Sequence, residues 1–274
     1  MTIPEISPNQ TAAPLIFSDD FSSRQLDRAK WNVRITGRVV NNEQQAYVDS
    51  DETVYVATTQ DADGKENHVL VLHPRYRPQF RTADGQRFDF ISGRIDTREK
   101  FHFTYGSASA RMKLPVGAGL WPAFWVMGNG RWPENGEMDV MEYVGEPDWI
   151  GCAVHGPGYS GEAGLANKLF FQNGSDATAW HVYTVDWAPN QIVFKVDGLV
   201  IYRATRPMID FFGPWVFDND KFLILNTAVG GIYPFKTNGI RSPYYGLPEE
   251  TVIKIKNNQA KVMIDWVRVH AIEE

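Results

Sequence analysis

From residue 68 onward the chain runs in short segments whose apolar and polar positions alternate, and segments 68–72, 107–114, 181–187, 191–196, 221–225 and 261–269 predict strands. Within 181–187, Tyr183, Val185 and Trp187 fall on one face, while Val182, Thr184 and Asp186 fall on the other. Ala188-Pro189-Asn190 and Asp197-Gly198 are turn signals around the 191–196 run, so 187–203 predicts a hairpin. No long stretch carries the 3.6-residue helical period; a short helix or turn is expected only near 176–180 and 207–212. The implied fold class is all-β, a sandwich of two antiparallel sheets. With no repeat or linker, residues 1–274 are expected to form a single domain, of which 1–14 are loosely ordered.

Composition sharpens this picture. The 9 Trp, 11 Tyr and 16 Phe, set among 23 Gly and 16 Pro, favour strands and loops over helices. A hydrophobic share of 43% builds a core without cross-links, and Cys152, the only cysteine, excludes an intrachain disulfide and is expected to be a buried small hydrophobe. The net charge of -6 is spread along the chain, which argues against a nucleic-acid or anionic-membrane partner and suits a neutral substrate. No apolar run approaches the roughly 18 residues of a membrane span, and Met1-Thr2-Ile3-Pro4-Glu5 lacks the pattern of a signal peptide. Gly158-Tyr159-Ser160-Gly161 lacks nucleophile-elbow spacing, no phosphate-binding or dinucleotide motif is present, and His102 and His155 show no zinc-ligand spacing. Asn9 and Asn173 stand in glycosylation sequons.

The most informative stretch is Glu137-Met138-Asp139-Val140-Met141-Glu142. In a strand Glu137 and Asp139 share one face, but Glu142, three residues on, would point into the core, where an unpaired carboxylate is costly. One extra residue absorbed as a β-bulge around Val140-Met141 restores the parity and puts all three acids on one face. Such a set suits glycosidic hydrolysis by double displacement, which needs a nucleophile and an acid roughly 5–5.5 Å apart. Four effective strand steps separate the outer two by about 13 Å at Cα, so their side chains must lean toward each other. Asp139 between them raises the pKa of Glu142 and helps it hold a proton. A solvated strand face or an oxygen-ligated divalent cation would use the same acids. Context favours the sugar: Trp121 and Trp125 offer indoles for ring stacking, and His155 follows downstream.

With these residues the chain resembles glycoside hydrolase family 16, in particular its laminarinase-like members. The resemblance is carried by 137–142 together with Gly-Leu-Trp-Pro-Ala-Phe-Trp at 119–125, His-Gly-Pro-Gly-Tyr-Ser-Gly at 155–161 and Asn-Asn-Glu-Gln-Gln-Ala-Tyr at 41–47. Further matches are Ile-Asp-Thr-Arg at 95–98, Asn-Thr-Ala-Val-Gly-Gly at 226–231 and Ile-Asp-Trp-Val-Arg-Val at 264–269. It implies a β-jelly-roll sandwich with a concave substrate cleft, Glu137 as nucleophile, Asp139 as assisting acid and Glu142 as general acid/base. Asn42, Arg94, Trp121, Trp125 and His155 would contact sugar. The implied activity is retaining, endo-acting hydrolysis of β-1,3-glucan, with mixed-linkage β-1,3-1,4-glucan as a second substrate. The alternatives are a galactan (agarose, porphyran or carrageenan), whose sulfated forms Arg34, Arg38, Arg94 and Arg131 would suit, and glucan binding without cleavage. No cofactor is expected for catalysis; a structural calcium on Asp265, with Asp20 as a weaker ligand, is implied, as are a monomer and export to the periplasm or medium. Gln44, Ala46 and the segment 232–247 depart from the family pattern, and these are places where cleft ends are built.

Overall fold

Alternation in the sequence becomes alternation in burial: Gly106–Lys113 and His181–Ala188 each bury every second residue along their length. The computed structural model describes residues 13–60 and 64–272; most of the segment expected to be loosely ordered, and the Asn9 sequon, lie outside them. One sheet runs in the order Leu199–Thr205, Gln191–Val196, His181–Ala188, Gly106–Lys113, Val262–His270, Glu66–Leu72, Val54–Gln60, with Leu15–Asp19 also pairing Val262–His270. The other runs Leu165–Phe170, Trp149–His155, Glu137–Glu142, Leu120–Gly128, Lys221–Val229, Arg94–Asp96, Asn32–Val33. Both are antiparallel throughout, so the expected sandwich is present. The hairpin between 187 and 203 and the short helix, Arg206–Phe212, stand where the sequence predicts them, while 176–180 holds only a turn.

The core lies between the sheets. Phe124, Val126, Met138, Leu223 and Leu225 from the second sheet belong to one cluster with Ala110, Met112, Tyr183, Val185 and Trp187 from the first. Trp187 hides its polar edge by donating from Nε1 to the Phe217 carbonyl at 2.9 Å.

Three elements are additions to the sequence picture. A small third sheet pairs Gln45–Tyr47 in parallel with Arg87–Ser92, which pairs in turn with Arg75–Arg81. It is tied to the second sheet by Ser92 Oγ donating to the Thr227 carbonyl (2.6 Å) and by the Val229 N–H donating to Gln45 Oε1 (2.7 Å). Helices Ile232–Asn238 and Glu249–Lys256 follow the Lys221–Val229 strand, and Val252 and Ile255 of the latter close a second small core with Phe90, Leu120 and Val229. Covered on both sides, Lys221–Val229 is buried along its whole length rather than at alternate positions, its polar Lys221, Asn226 and Thr227 included.

The decisive irregularity is at Val140. Trp125 faces Asp139, Phe124 faces Met141 and Ala123 faces Glu142, so Val140 is the extra residue, and the ladder to Trp149–His155 shifts over the same interval. Deleting Val140 should leave Glu137, Asp139 and Glu142 on alternate positions of a regular strand. It removes one buried valine, worth about 1.5–3 kcal/mol. Urea unfolding should therefore show a cooperative transition at a lower midpoint; a non-cooperative melt would mean that the ladder itself depends on the extra residue.

Candidate active site

The bulge brings Glu137, Asp139 and Glu142 to the walls of one cavity of about 330 Å³ on the outward face of the second sheet. Trp121, Trp132, Ala153, His155 and Tyr233 line it with them. Neighbouring strands supply the sides in register: His155 stands beside Glu137, Ala153 beside Asp139 and Gly151 beside Glu142. Gly151 has a steric reason, since a Cβ there would lie 3.0 Å from the Tyr233 hydroxyl oxygen.

Electrostatics follow from crowding. Burial, then the Asp139 charge, push Glu142 up to about 8, while the hydrogen bond from Trp121 Nε1 to its Oε1 (3.0 Å) and the nearby His155 pull the other way. Burial, then Asp139, also lift Glu137 to about 8, opposed by His155 and Arg94. Asp139 is raised by burial to about 7. Three carboxylates in one dry space cannot all ionise near neutrality, so the cavity retains at least one proton there. Each glutamate has one stabilising partner of its own, the positive charge of Arg94 for Glu137 and the Trp121 N–H for Glu142. His155 Nε2 lies 3.0 Å from Asp139 Oδ2, close enough for an ion pair but out of hydrogen-bond alignment, and His155 Nδ1 has no partner.

The sequence-predicted residues divide. Glu137, Asp139, Glu142, Trp121 and His155 share the cavity. Trp121 does more than offer a ring face, because its N–H is committed to Glu142. Trp125 and Arg94 lie outside the lining and stack on each other, guanidinium 4.9 Å from the ring centroid, while Trp125 Nε1 donates to Asn226 Oδ1 (2.7 Å). Asn42 adopts a left-handed φ of 56° and lines a neighbouring cavity with Glu43 and Tyr244, while Asn41 lines the acid cavity. Among Arg34, Arg38 and Arg131, Arg34 is held by Asp96, and none lines the cavity. Asn41, Trp132, Tyr233, Glu162 and Lys236 are lining residues the sequence reading missed; Tyr233 and Lys236 fall in the 232–247 segment already marked by its departure from pattern.

Lys221 is a further unforeseen feature. Fully buried, it donates from Nζ to the Asn135 carbonyl (2.9 Å) and to Asn219 Oδ1 (2.5 Å), pinning the turn that leads into Glu137, and burial lowers it to about 7.

The residues proposed for calcium do not fit one. Both oxygens of Asp265 are taken by donors, Arg111 Nη1 and Asn67 Nδ2, each at 2.6 Å, and a guanidinium beside the carboxylate repels a cation. Asp20 is turned to its own loop, accepting from the Ser22 N–H at 3.1 Å, in a pocket shared with Lys30 and Arg268.

Against known proteins, the family model described as glycosyl hydrolases family 16 matches residues 38–268. A β-glucanase of Rhodothermus marinus is 30% identical over 93% of this chain and 84% of its own length. Glucan endo-1,3-beta-glucosidase A1 of Niallia circulans is 31% identical over 93% of the chain, which spans only 37% of that longer protein. Among solved structures, endo-beta-1,3-glucanase from Pyrococcus furiosus superposes with a TM-score of 0.79 at 29% identity, covering 99% of this chain and all of that one.

Two outcomes follow from the geometry. Asp139→Asn removes a charge that lifts both Glu137 and Glu142, so both limbs of the pH–rate profile should move to lower pH; an unmoved alkaline limb would show that Asp139 does not act on Glu142. Thermal melts in excess chelator and in added calcium should coincide, whereas a calcium-dependent rise in Tm would reveal a site other than Asp265 and Asp20.

Proposed function

The chain belongs to family 16 of the glycosyl hydrolases, and from that membership we propose that it is an endo-acting, retaining hydrolase of β-1,3-glucan that also accepts mixed-linkage β-1,3-1,4-glucan. The observation that carries the chemistry is the turning of all three acids into one cavity by the bulge at Val140. The polymer class is supported by what the relatives are: a β-glucanase and glucan endo-1,3-beta-glucosidase by sequence, an endo-beta-1,3-glucanase by structure.

In this reading the Glu137 carboxylate attacks the anomeric carbon while Glu142 gives its proton to the departing glycosidic oxygen, leaving a glycosyl ester on Glu137. Glu142, now ionised, takes a proton from water, and that water displaces Glu137 with a second inversion. Burial and Asp139 hold a proton in the pair, and the Arg94 charge acts on Glu137 in the direction its role as nucleophile requires. Trp121, bonded to one oxygen of Glu142, leaves the other to carry the proton. A sulfated galactan is disfavoured by the same cavity: its charged lining is mostly acidic, and Arg34, Arg38, Arg94 and Arg131 stand outside it.

Laminarin hydrolysis followed by NMR should yield a first-formed product of retained β configuration. Glu137→Gln and Glu142→Gln should each lose about 10²–10⁴ in kcat. An inverted first product, or full turnover by either variant, would defeat the mechanism.

A further inference from the structure

Lys236 forms an ion pair with Glu162, and both residues line the cavity that holds the acids. They come from opposite ends of the acid strand. Lys236 sits on helix Ile232–Asn238, anchored at the Glu142 end: Tyr233 packs edge-on against Trp121 (5.4 Å between centroids) and over Gly151, which pairs with Glu142. Glu162 sits on the short turn Gly161–Ala163, which follows His155 at the Glu137 end and lies by Trp132, 4.0 Å from where a Cβ on Gly161 would be. The pair thus joins the two ends of a cavity whose lining also includes Ala153 and Ala166 of the two outermost strands of that sheet.

We propose that the Lys236–Glu162 pair is a removable bar across the substrate groove, one that a long glucan must displace and a short oligosaccharide need not. The inference rests on the β-glucan reading above. Both side chains are substantially exposed, 42% for Lys236 and 73% for Glu162, so the pair is screened and weak, as a bar that opens during turnover has to be. Both carriers are short and lie outside the sheets, so opening the bar breaks no ladder. The bar also gives salt a role it would otherwise lack, because a neutral glucan's own contacts respond little to ionic strength whereas an exposed ion pair responds strongly.

The test compares parent, Lys236→Met, Glu162→Gln and the charge-exchanged double variant Lys236→Glu/Glu162→Lys, each on polymeric laminarin and on a short β-1,3-gluco-oligosaccharide. The single substitutions should raise the polymer-to-oligomer ratio of kcat/KM about threefold, and the exchanged pair should bring it back toward the parent value. Added salt should raise the ratio in the parent and leave it level in the single variants. A ratio that is the same in all four proteins at every salt concentration overturns the bar alone. So does a ratio that falls in the single variants, which would make the pair a polymer contact. A parent that cleaves neither glucan overturns the β-glucan reading, and the bar with it. Melting curves of all four proteins establish that each is folded.

Discussion

Burying three carboxylates in one small cavity is the constraint around which this molecule is arranged. Burial lifts all three toward protonation and the Asp139 charge lifts both glutamates further, so the crowding that makes the cluster expensive lets one member keep a proton while another gives it up. The strands on either side supply what makes the crowding tolerable, an indole N–H for Glu142 and an imidazole beside Asp139, and a guanidinium from farther along the sheet acts on Glu137. The bulge that absorbs the supernumerary Val140 is what keeps the third acid turned toward these partners rather than into the hydrocarbon between the sheets.

Much of this was legible in the chain because its cause is local. Period-two burial marks the sandwich strands, and the parity of 137, 139 and 142 by itself demands a bulge. What escaped depends on distant segments. Lys221–Val229 has its far end sealed by a third sheet and a helix, so it shows no alternation in burial and runs on through polar Asn226 and Thr227, where the apolar signal stops. Helices Ile232–Asn238 and Glu249–Lys256 are too short to display a period; they exist because they cover something.

The side-chain roles divide along the same line. Trp121 looked like a platform for sugar because an indole's apolar face is evident from its name, whereas its N–H bond to Glu142 needs the geometry. Asn41 and Asn42 are indistinguishable as letters, and both take left-handed backbone, yet only Asn41 reaches the acids. Asp265 matches a metal ligand by position and is disqualified by Arg111, 154 residues away in sequence.

Lys221 has a bearing on the fold as a whole. Its folded pKa of about 7 lies below the ordinary 10.5, so the unfolded chain binds a proton there that the native one refuses, and between those limits this lysine makes the protein more resistant to unfolding as the solution grows more alkaline. The acid trio has the opposite slope, because native Glu137 and Glu142 hold protons up to about 8 that the unfolded chain releases near 4.5. The two slopes meet near neutrality, where the carboxylates have used up most of their contribution and the lysine has yet to give its own. The conditions that split the acids into donor and nucleophile are thus those in which the buried charges lend the native state least support.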